Sequence, residues 1–415
     1  MHTFYDALET RDPSAREAAL LAALPTQVAH ARAASPAFAS ILAGIDPAST
    51  TSRAALARLP VTRKHELHER QRAGLASGAF GGFAAIGYGA AMPRLFCSPG
   101  PMYEPEGARR DYWRMARALF AAGFRAGDLV HNSFSYHFVP AGSMMESGAH
   151  ALGCTVFPGG TGQTEQQVQA MAELRPAGYI GTPSFLKLIL EKADELRQPL
   201  PSITKALLSA EAFPPSLRDW FAARGIAGYQ CYGTADLGLI AYETEARAGL
   251  VLDEGVIVEI VRPGTGDPVP EGEVGELVVT TLNPDYPLIR FGTGDLSAVL
   301  PGPCPTGRTN ARIQGWLGRA DQTTKVRGMF VQPAHIAAIA ARFPQVLRAR
   351  LVVSGEMASD QMLLRVESTE IAAGLAERLQ DAIREVTKLR GEVEVVAPGT
   401  LPNDGKVIED ARSYR

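Results

Sequence analysis

The sequence predicts a large α/β domain followed by a small α+β domain. Three observations carry this prediction. At 415 residues the chain exceeds one ordinary domain, so two domains are the natural expectation. Between residues 95 and 224, short apolar runs alternate with amphipathic segments, which is typical of a mostly parallel sheet covered by helices. Beyond Tyr242 the pattern changes to period-two alternation, and beyond Gly318 it changes again to a short βαββαβ order.

Composition excludes several classes of protein. The chain is 46% hydrophobic and 20% charged. Its net charge is −3, so it lacks the excess of positive charge that is typical of proteins that bind nucleic acid or an anionic membrane. Cys97, Cys154, Cys231 and Cys304 lie far apart and show no secreted disulfide pattern. The N-terminal segment lacks a signal-peptide core, and no apolar stretch of about 18 residues could span a bilayer. We therefore expect a cytoplasmic protein that binds neither nucleic acid nor membrane, with a homodimer left open.

The first part of the chain alternates strands and helices. Residues 1–45 place Ala and Leu at helical spacing, which predicts two helices on the outside of the fold. A strand around Leu95–Phe96 runs into a Pro/Gly turn, and a long helix is predicted after Glu106. The further predicted strands are 127–130, 155–157, 178–180 and 205–209, and the helices are 147–153, 164–173, 184–196 and 214–224. This order predicts a mostly parallel sheet with helices on both faces.

The pattern of apolar and polar residues changes in the later part of the chain. Residues 251–283 alternate apolar and polar side chains between PGTG and PEGE turns, which predicts hairpins and a β-barrel-like subdomain over about 243–317. Predicted elements beyond it are strands at 325–331, 348–354, 362–366 and 392–396, and helices from Pro333 and over 371–389. We place the domains at 1–320 and 321–415, with the boundary near Asp321.

Two Gly-bounded turns between Arg290 and Gly328 carry candidate ligand contacts. RFGTGDL places Asp295 after a Gly-Thr-Gly turn, and a Gly-Arg-x-Asp turn follows at Arg319. Such turns present backbone N–H groups and a carboxylate where a ligand can approach closely. A carboxylate there can accept both hydroxyls of a ribose. Either turn alone is more often a solvated surface turn, but the two in this order predict a nucleotide site.

These turns and five further segments resemble the adenylate-forming acyl-CoA synthetase superfamily, and most closely its phenylacetate–CoA ligase group. The segments are LPVTRKHEL near residue 60, TPSFLKLIL from Thr182, SAEAFPP from Ser209, YGTADLG from Tyr232 and LPNDGKV from Leu401. The resemblance covers nearly the whole chain. It implies that ATP, Mg²⁺ and coenzyme A serve the ligation of a small carboxylic acid, an aryl or arylacetic one, through an acyl-adenylate.

Two alternatives stay open at this point. The first is an adenylating enzyme that passes the acyl group to an amine or a carrier thiol. The second is a non-catalytic binder of nucleotide or acyl-adenylate.

The resemblance also implies roles for single residues. The segment from Tyr232 to Asp236 resembles the family's Tyr-Gly-x-Thr-Glu motif. Tyr232 and Gly233 would then meet adenine, Thr234 the α-phosphate and Asp236 a Mg²⁺ ion. The Thr stands one place early and Asp replaces Glu, although Asp still offers hard oxygen to a hard cation. A strand-to-turn junction with a capping Thr or Asp is the structural alternative.

Further matches extend this nucleotide site. Ser209, Ala210 and Glu211 resemble the segment whose backbone lies along adenine, and Asp295 and Arg319 match the residues that reach the ribose.

The C-terminal matches concern catalysis and movement. Lys406 matches the family's catalytic lysine, whose ammonium can bridge carboxylate and α-phosphate as charge develops. Asp321 occupies the hinge position about which the small domain pivots between adenylation and thioester formation. An exposed lysine on a tail loop is the alternative for Lys406.

The phosphate loop departs from the family's Ser/Thr/Gly-rich run that ends in Gly-Lys. In its place, before the predicted helix, stands Phe96–Glu104, which has one Gly, two Pro, no Lys and an acid at Glu104. Ser98 is its candidate phosphate contact. Such a loop is a poor anion nest. Pyrophosphate stabilisation must therefore come from elsewhere, or adenylation is slow, or ATP is not used in the usual way.

Two last expectations concern zinc and the acid. Some relatives carry a structural zinc with a Cys-x-Cys, of which only Cys304 remains here, so no zinc is expected. Tyr136, His137 and Phe138 follow a strand and fall where relatives present aromatic residues to the acid. Core packing accounts equally well for these aromatic residues.

Overall fold

The computed structural model describes residues 3–74, 78–261, 266–320, 322, 324–327, 329–331, 333–355, 360–369, 374–402 and 407–412. The chain forms two compact units, Met1–Leu317 and Gly318–Arg415.

The helices and strands of the first unit alternate along most of its length. Its described α-helices are α1 Pro13–Ala34, α2 Pro36–Ile41, α3 Arg53–Ala57, α4 Lys64–Ala73, α5 Met115–Ala121, α6 Ala141–Leu152, α7 Thr164–Leu174, α8 Pro183–Glu195 and α9 Pro215–Ala222. Its described strands are β1 Thr62–Arg63, β2 Arg94–Ser98, β3 Met102–Glu106, β4 Leu129–Asn132, β5 Thr155–Pro158, β6 Gly178–Gly181, β7 Lys205–Leu208, β8 Ala227–Thr234, β9 Gly238–Glu243, β10 Leu250–Leu252, β11 Val256–Val261, β12 Gly275–Thr281, β13 Phe291–Ser297, β14 Val299–Leu300 and β15 Arg312–Ile313. Short 3₁₀ turns occupy Ala7–Thr10 and Pro47–Ser49.

A nine-stranded sheet dominates the described part of this unit, in the order β14-β15-β10-β9-β8-β7-β6-β4-β5. The strands from β5 to β8 are parallel, and the strands from β8 to β14 pair antiparallel. Helices α6 to α9 make the crossovers of the parallel part, as parallel neighbours require. The sequence-based prediction of a mostly parallel sheet with covering helices is confirmed.

The β-rich stretch beyond Tyr242 is divided between two sheets. Strands β10, β14 and β15 extend the large sheet, whereas β11, β12 and β13 join β1 in a four-stranded sheet of order β1-β13-β12-β11. The β1 strand lies parallel to β13, with Thr62 opposite Phe291. The predicted barrel-like part therefore supplies three strands of the four-stranded sheet and one edge of the nine-stranded sheet.

Helix starts in this unit follow local sequence signals. Pro13 occupies the first turn of α1, and the Asp12 carboxylate accepts a hydrogen bond from the Ala15 N–H at 3.0 Å. Pro183 begins α8 in the same way, with the Thr182 hydroxyl accepting from the Phe185 N–H at 3.3 Å. At the start of each helix, the capping side chain thus accepts from an N–H group that has no partner within the helix.

The N-terminal helices are more deeply packed than their predicted outer position suggests. Leu24, Val28 and Phe38 are fully buried and belong to one core with Ile257 and Val279 of the four-stranded sheet. Full burial of such a side chain stabilises the fold by about 1.5–3 kcal/mol relative to exposure. The buried face of α1 therefore packs inward, and it includes the polar residues Arg16 and Gln27.

The segment from Arg94 to Ala121 differs from its prediction. The chain forms a β2–β3 hairpin, with Arg94 opposite Glu106 and Ser98 opposite Met102, so the phosphate-loop segment precedes a strand and not a helix. The helix predicted after Glu106 begins at Met115. Asp111 and Arg114 have φ of +50° and +63°, outside the helical region, and Arg114 Nε also pairs with Asp253 Oδ1 at 2.7 Å.

In its described ranges, the second unit contains a four-stranded mixed sheet, a two-stranded sheet and two helices. Its described elements are β16 Thr324–Val326, β17 Met329–Val331, α10 Pro333–Ala340, β18 Val346–Ser354, β19 Gln361–Ser368, α11 Leu375–Thr387, β20 Glu392–Val396 and β21 Ile408–Asp410. The main sheet has the order β20-β19-β18-β21. Val353, Leu364, Leu379 and Ile383 are fully buried together between sheet and helices. The β21 strand was not predicted from the sequence, but the α+β class of this unit is confirmed.

None of the helices in the described ranges is long and apolar enough to cross a membrane.

Candidate active site

The carboxyl ends of the parallel strands meet at one edge of the large sheet. From β4 the chain passes through α6 to β5, whereas from β6 it passes through α8 to β7 on the other side. Because β4 and β6 are neighbours whose connections leave in opposite directions, a crevice forms outside their carboxyl ends, where open α/β sheets bind ligands. The predicted site residues of the first unit follow these strand ends or face them.

Tyr232 and Asp295 are brought together from two different sheets. Tyr232 lies near the end of β8 and Asp295 in β13, and the Tyr232 hydroxyl donates to Asp295 Oδ2 at 2.7 Å. Trp316 Nε1 donates to Asp295 Oδ1 at 3.0 Å. The residues predicted for adenine and ribose are thus direct neighbours. Trp316 was missed because a single tryptophan beside a Gly turn carries no pattern of its own.

The turn after β8 fixes the position of Asp236. Thr234 Oγ1 accepts a hydrogen bond from the Leu237 N–H at 3.1 Å, which closes the turn over Asp236. At Gly233 an added Cβ would lie 2.5 Å from the carbonyl oxygen of Gly238, so the β8–β9 hairpin requires glycine there. The capping function proposed as an alternative for Thr234 is present, and its hydroxyl proton remains available to a ligand.

Asp236 belongs to a buried cluster of charges. Its side chain is fully buried, and Lys64 Nζ, at the start of α4, lies 3.0 Å from Asp236 Oδ2. Asp236 Oδ1 is buried with no hydrogen-bond partner among the described residues. Sequence reasoning missed Lys64, whose only signal was its place in the LPVTRKHEL segment.

Glu104 lies beside this ion pair at the end of the hairpin. The Ser98 hydroxyl donates to Glu104 Oε1, and the Ser98 N–H donates to Glu104 Oε2 at 3.3 Å. Burial raises the pKa of the Glu104 carboxyl from 4.5 to about 8, and the charge of Asp236 adds to that rise. The Ser98 hydrogen bonds and the Lys64 charge oppose it. Ser98, predicted to meet phosphate, is therefore engaged inside the hairpin.

The segment predicted to lie along adenine is held at both ends. The Ser209 hydroxyl donates to the Cys231 carbonyl at 2.9 Å, and Glu211 Oε2 accepts from the Ser184 N–H at 3.3 Å. Ala210 between them has a φ of +68°, in the left-handed region that few non-glycine residues occupy. The side chains of Ser209 and Glu211 thus make structural contacts, and these contacts hold the backbone between them in a fixed position.

A cavity of about 490 Å³ opens beside the ends of β4 and β5. Its lining comprises Tyr136, His137, Phe157, Pro158, Gly159, Gly160, Thr161, Gln163, Gln166 and Gln167. Tyr136 is fixed by donating to Glu146 Oε2 and accepting from Asn132 Nδ2, both at 2.8 Å. Two of the three predicted acid-pocket residues, Tyr136 and His137, lie on this cavity.

Phe138 does not line that cavity. Its side chain is 80% exposed, and its backbone has a φ of +61°. Its carbonyl accepts a hydrogen bond from the Cys97 N–H at 2.7 Å, which ties the loop after β4 to the β2–β3 hairpin. The alternative of core packing does not apply to Phe138 either.

Three predicted residues are not placed with these groups. Arg319 belongs to the second unit. Asp321 and Lys406 lie outside the described residues. Their assignments stay predictions.

The residues around Asp236 fit a magnesium ion. Within the described ranges, no group of three or more His, Cys, Asp and Glu side chains is arranged to hold a metal. Mg²⁺, however, is usually held by one or two carboxylates together with water and substrate phosphates. Asp236, with its unpartnered buried oxygen, offers one such carboxylate.

Cys304 is surrounded by hydroxyl groups. It is buried, and its Sγ lies 3.1 Å from Thr306 Oγ1 and 3.9 Å from Thr244 Oγ1. Neutral hydroxyls are not ligands of structural zinc, which takes sulfur and imidazole. The expectation that no zinc binds at Cys304 stays a prediction.

Comparison with known proteins places this geometry in a family. A model of AMP-binding enzymes matches residues 109–283. Phenylacetate–coenzyme A ligase of Thermus thermophilus is 31% identical over 355 residues, which cover 79% of this chain and 75% of that protein. The ligase of the same name from Aromatoleum evansii is 30% identical over 380 residues, 86% of this chain and 84% of the relative.

A solved structure is similar over almost the whole chain. The crystal structure of 2-hydroxyisobutyryl-CoA ligase in complex with 2-HIB-AMP and CoA has a TM-score of 0.76 and 27% identity, and the match covers 98% of this chain and 92% of that one. The strand ends that gather Tyr232, Asp236 and Asp295 thus belong to a fold that holds an acyl-adenylate and CoA in that relative. The chain is a member of the adenylate-forming enzymes, in their phenylacetate–CoA ligase-like group.

Proposed function

We propose that this protein is an ATP-dependent carboxylic acid–CoA ligase that works through an acyl-adenylate. The relatives named phenylacetate–coenzyme A ligase, at 30% and 31% identity over most of their length, support this activity. The single observation that carries it in the structure is the Tyr232–Asp295 pair beside buried Asp236 at the sheet's ligand-binding edge. An acid has a poor leaving group, and a mixed anhydride with AMP removes that obstacle.

The first step joins the acid to AMP. A carboxylate oxygen attacks the α-phosphorus, the new P–O bond forms, and the bond from that phosphorus to the bridging oxygen breaks as pyrophosphate leaves. The protein must supply position and compensation of charge. Tyr232 would offer a flat face to adenine, with the backbone of Ser209, Ala210 and Glu211 along its edge.

Asp295 would bind the ribose without losing its present partners. An ionised carboxylate has about four acceptor positions. Tyr232 and Trp316 each donate to one oxygen of Asp295, which orients the carboxylate. Arg319 would reach the ribose from the second unit, as the resemblance implies.

The phosphate end of the nucleotide would lie near Thr234 and Asp236. The Thr234 hydroxyl can donate to the α-phosphate while it still accepts from Leu237 N–H. Asp236 would hold Mg²⁺, which supplies positive charge to the phosphate oxygens when bound. Lys406 would bridge the carboxylate and the α-phosphate, as the family match implies.

The second step moves the acyl group to coenzyme A. The thiol sulfur attacks the acyl carbon, the carbon–oxygen bond to AMP breaks, and AMP leaves with the electron pair. The thiol proton passes to solvent or a nearby base. Rotation of the second unit about Asp321 would separate this step from the first.

The acid is proposed to be an aryl or arylacetic one. Tyr136, His137 and Phe157 line the 490 Å³ cavity, and aromatic side chains pack favourably against an aromatic acid. Phe138 is not part of this proposal, since its side chain is exposed.

Pyrophosphate release tests the proposed function. The panel should contain phenylacetate, benzoate, their hydroxylated forms and 2-hydroxyisobutyrate, each with and without CoA. We expect acid-dependent pyrophosphate with CoA and the matching acyl-CoA as product. Pyrophosphate that appears only with hydroxylamine or an amine would assign another acceptor. No release with any acid, while AMP binds tightly, would make the protein a nucleotide binder.

A further inference from the structure

The β2–β3 hairpin lacks the means to hold the outer phosphates of ATP. Pro99 and Pro101 have no N–H to donate, and the Ser98 hydroxyl already donates to Glu104 Oε1. Glu104 itself repels phosphate whenever it is ionised. A cation for the β- and γ-phosphates must therefore come from another element of the fold.

Lys64 stands where the hairpin, β13 and the turn after β8 converge. It follows β1, which lies alongside β13, and it begins α4. Gln71 of α4 is fastened to the hairpin, because its Nε2 donates to the Tyr103 carbonyl and its Oε1 accepts from the Tyr103 N–H, both at 2.8 Å. The Gln71 side chain thus fastens α4, the helix that Lys64 begins, to the backbone of the hairpin.

The Lys64 ammonium is placed on the solvent side of its partner. The Lys64 side chain is 37% exposed, whereas the side chain of Asp236, 3.0 Å away, is fully buried. A lysine stem is long and flexible, so the ammonium can leave a carboxylate for a nearby anion without movement of the backbone. Asp236 in turn adjoins Thr234, the proposed α-phosphate contact.

The charge balance of the cluster favours such an exchange. Within the hairpin, the Glu104 carboxyl already accepts from the Ser98 hydroxyl and from the Ser98 N–H. The Lys64 ammonium and the Asp236 carboxylate neutralise each other. When a triphosphate binds with its Mg²⁺, its phosphates carry more negative charge than the Asp236 carboxylate and can attract Lys64. Likewise, Mg²⁺ carries more positive charge than the Lys64 ammonium and can replace it beside Asp236.

We infer that Lys64 supplies the ammonium that the phosphate loop lacks: it leaves Asp236 when ATP binds and contacts the β- or γ-phosphate. The inference rests on the proposed function, in which ATP is the substrate. It makes Lys64 a phosphate-binding residue, which distinguishes ATP from AMP.

Nucleotide binding without acid or CoA tests this inference. The dissociation constants of ATP and AMP are measured by calorimetry with Mg²⁺ for the wild-type protein, Lys64→Met, Lys64→Arg and Lys187→Met. Lys187 is a matched control, since it lies on the surface of α8 and pairs with Glu191 in the same helix. Thermal unfolding of each variant reports whether the fold is intact.

The expected result is a selective loss. Lys64→Met should bind ATP about 10- to 100-fold more weakly and AMP within about threefold of wild type, because a charge-assisted contact to an outer phosphate is removed. Lys64→Arg should keep most of the preference for ATP, and Lys187→Met all of it. If Lys64→Met does not fold, Lys64→Gln serves instead, since its amide can still donate to Asp236.

Three outcomes would overturn the inference: no preference of the wild-type protein for ATP over AMP, an equal weakening of both nucleotides in Lys64→Met, or unchanged ATP binding in that variant. An equal weakening would mean that Lys64 only neutralises Asp236. Because no acid is present, this result is independent of the ligase assay. A protein that ligates no acid can still show the selective loss, and an active ligase can fail to show it.

Discussion

The hydroxyl of Tyr232 donates to Asp295 Oδ2 at 2.7 Å, although the two residues lie in different sheets of the first unit. The contact joins the end of the large parallel sheet to β13 of the four-stranded sheet. Trp316 Nε1 donates to the other carboxylate oxygen, Asp295 Oδ1. The carboxylate is thereby oriented before any ligand arrives, which would lower the cost of binding a ribose in the proposed site.

Asp295→Ala should weaken the binding of both AMP and ATP by roughly tenfold to a hundredfold. The ribose hydroxyls would lose an ionised acceptor, a contact worth about 1.5–3 kcal/mol. Calorimetry with each nucleotide measures the effect, and Asp219→Ala, an exposed position on α9, is the control. Wild-type AMP affinity in Asp295→Ala would move the ribose site elsewhere. Equal losses for ATP and AMP distinguish this variant from Lys64→Met.

Glu104 makes stability depend on pH. Its pKa is raised from 4.5 to about 8, first by burial and then by the charge of Asp236. The folded state therefore holds a proton that the unfolded chain releases above pH 4.5. The contribution of this proton to the free energy of unfolding is complete below pH 4.5. It is lost as pH rises towards about 8, at up to about 1.4 kcal/mol per pH unit.

Glu104→Gln removes this titration and keeps an oxygen to accept from Ser98. The variant should therefore gain free energy of unfolding relative to wild type as pH rises from 5 to 8. Urea unfolding at a series of pH values measures the difference between the two proteins. Glu245→Gln, on the exposed turn after β9, should show a difference that does not vary with pH. A constant difference for Glu104→Gln as well would contradict the buried, protonated state.

Glu9 anchors the N-terminal segment through a buried network. Its side chain is fully buried, with Arg308 Nε at 3.1 Å and Arg117 Nη1 at 3.3 Å. Tyr242 donates its hydroxyl to Glu9 Oε1 at 3.0 Å. Removal of the carboxylate would leave two buried guanidinium groups without this partner.

Glu9→Ala should lower the free energy of unfolding by about 3–5 kcal/mol, the usual effect of breaking a buried ion pair. Tyr242→Phe removes only one hydrogen bond and should cost about 1–3 kcal/mol. The shift of the urea midpoint at unchanged slope reports both values. A loss for Glu9→Ala no larger than that for Tyr242→Phe would show that the arginines find other partners.

Local patterns predicted the fold well and the site only in part. The strands and helices from Leu129 to Ala222 follow the predicted alternation, because each is a short apolar run or an amphipathic segment with its own start signal. Tyr232, Asp236 and Asp295 were found from motifs.

The contacts that complete the site carry no local pattern. Lys64 and Asp236 are 172 positions apart, and Tyr232 and Asp295 are 63 apart. The β2–β3 hairpin places Glu104 against Ser98, a pairing that depends on strand register and on burial by other elements. The late start of α5 coincides with positive φ at Asp111 and Arg114, which local helix propensity does not indicate.

Lys406 carries the last prediction, which rests on its place in the LPNDGKV segment. Lys406→Ala should lower acid-dependent pyrophosphate release by roughly 100-fold or more, because one preorganised charge in a closed site is worth about 2.7–4 kcal/mol in the transition state. Transfer of the acyl group from supplied acyl-AMP to CoA should survive, since the lysine compensates charge only at the α-phosphate during adenylation. The two half-reactions are measured separately, by pyrophosphate release and by acyl-CoA formation. Lys388→Ala, a lysine at the end of α11 in the same unit, controls for loss of positive charge there. An equal fall in both half-reactions of a folded Lys406→Ala protein would take the adenylation role away from this lysine.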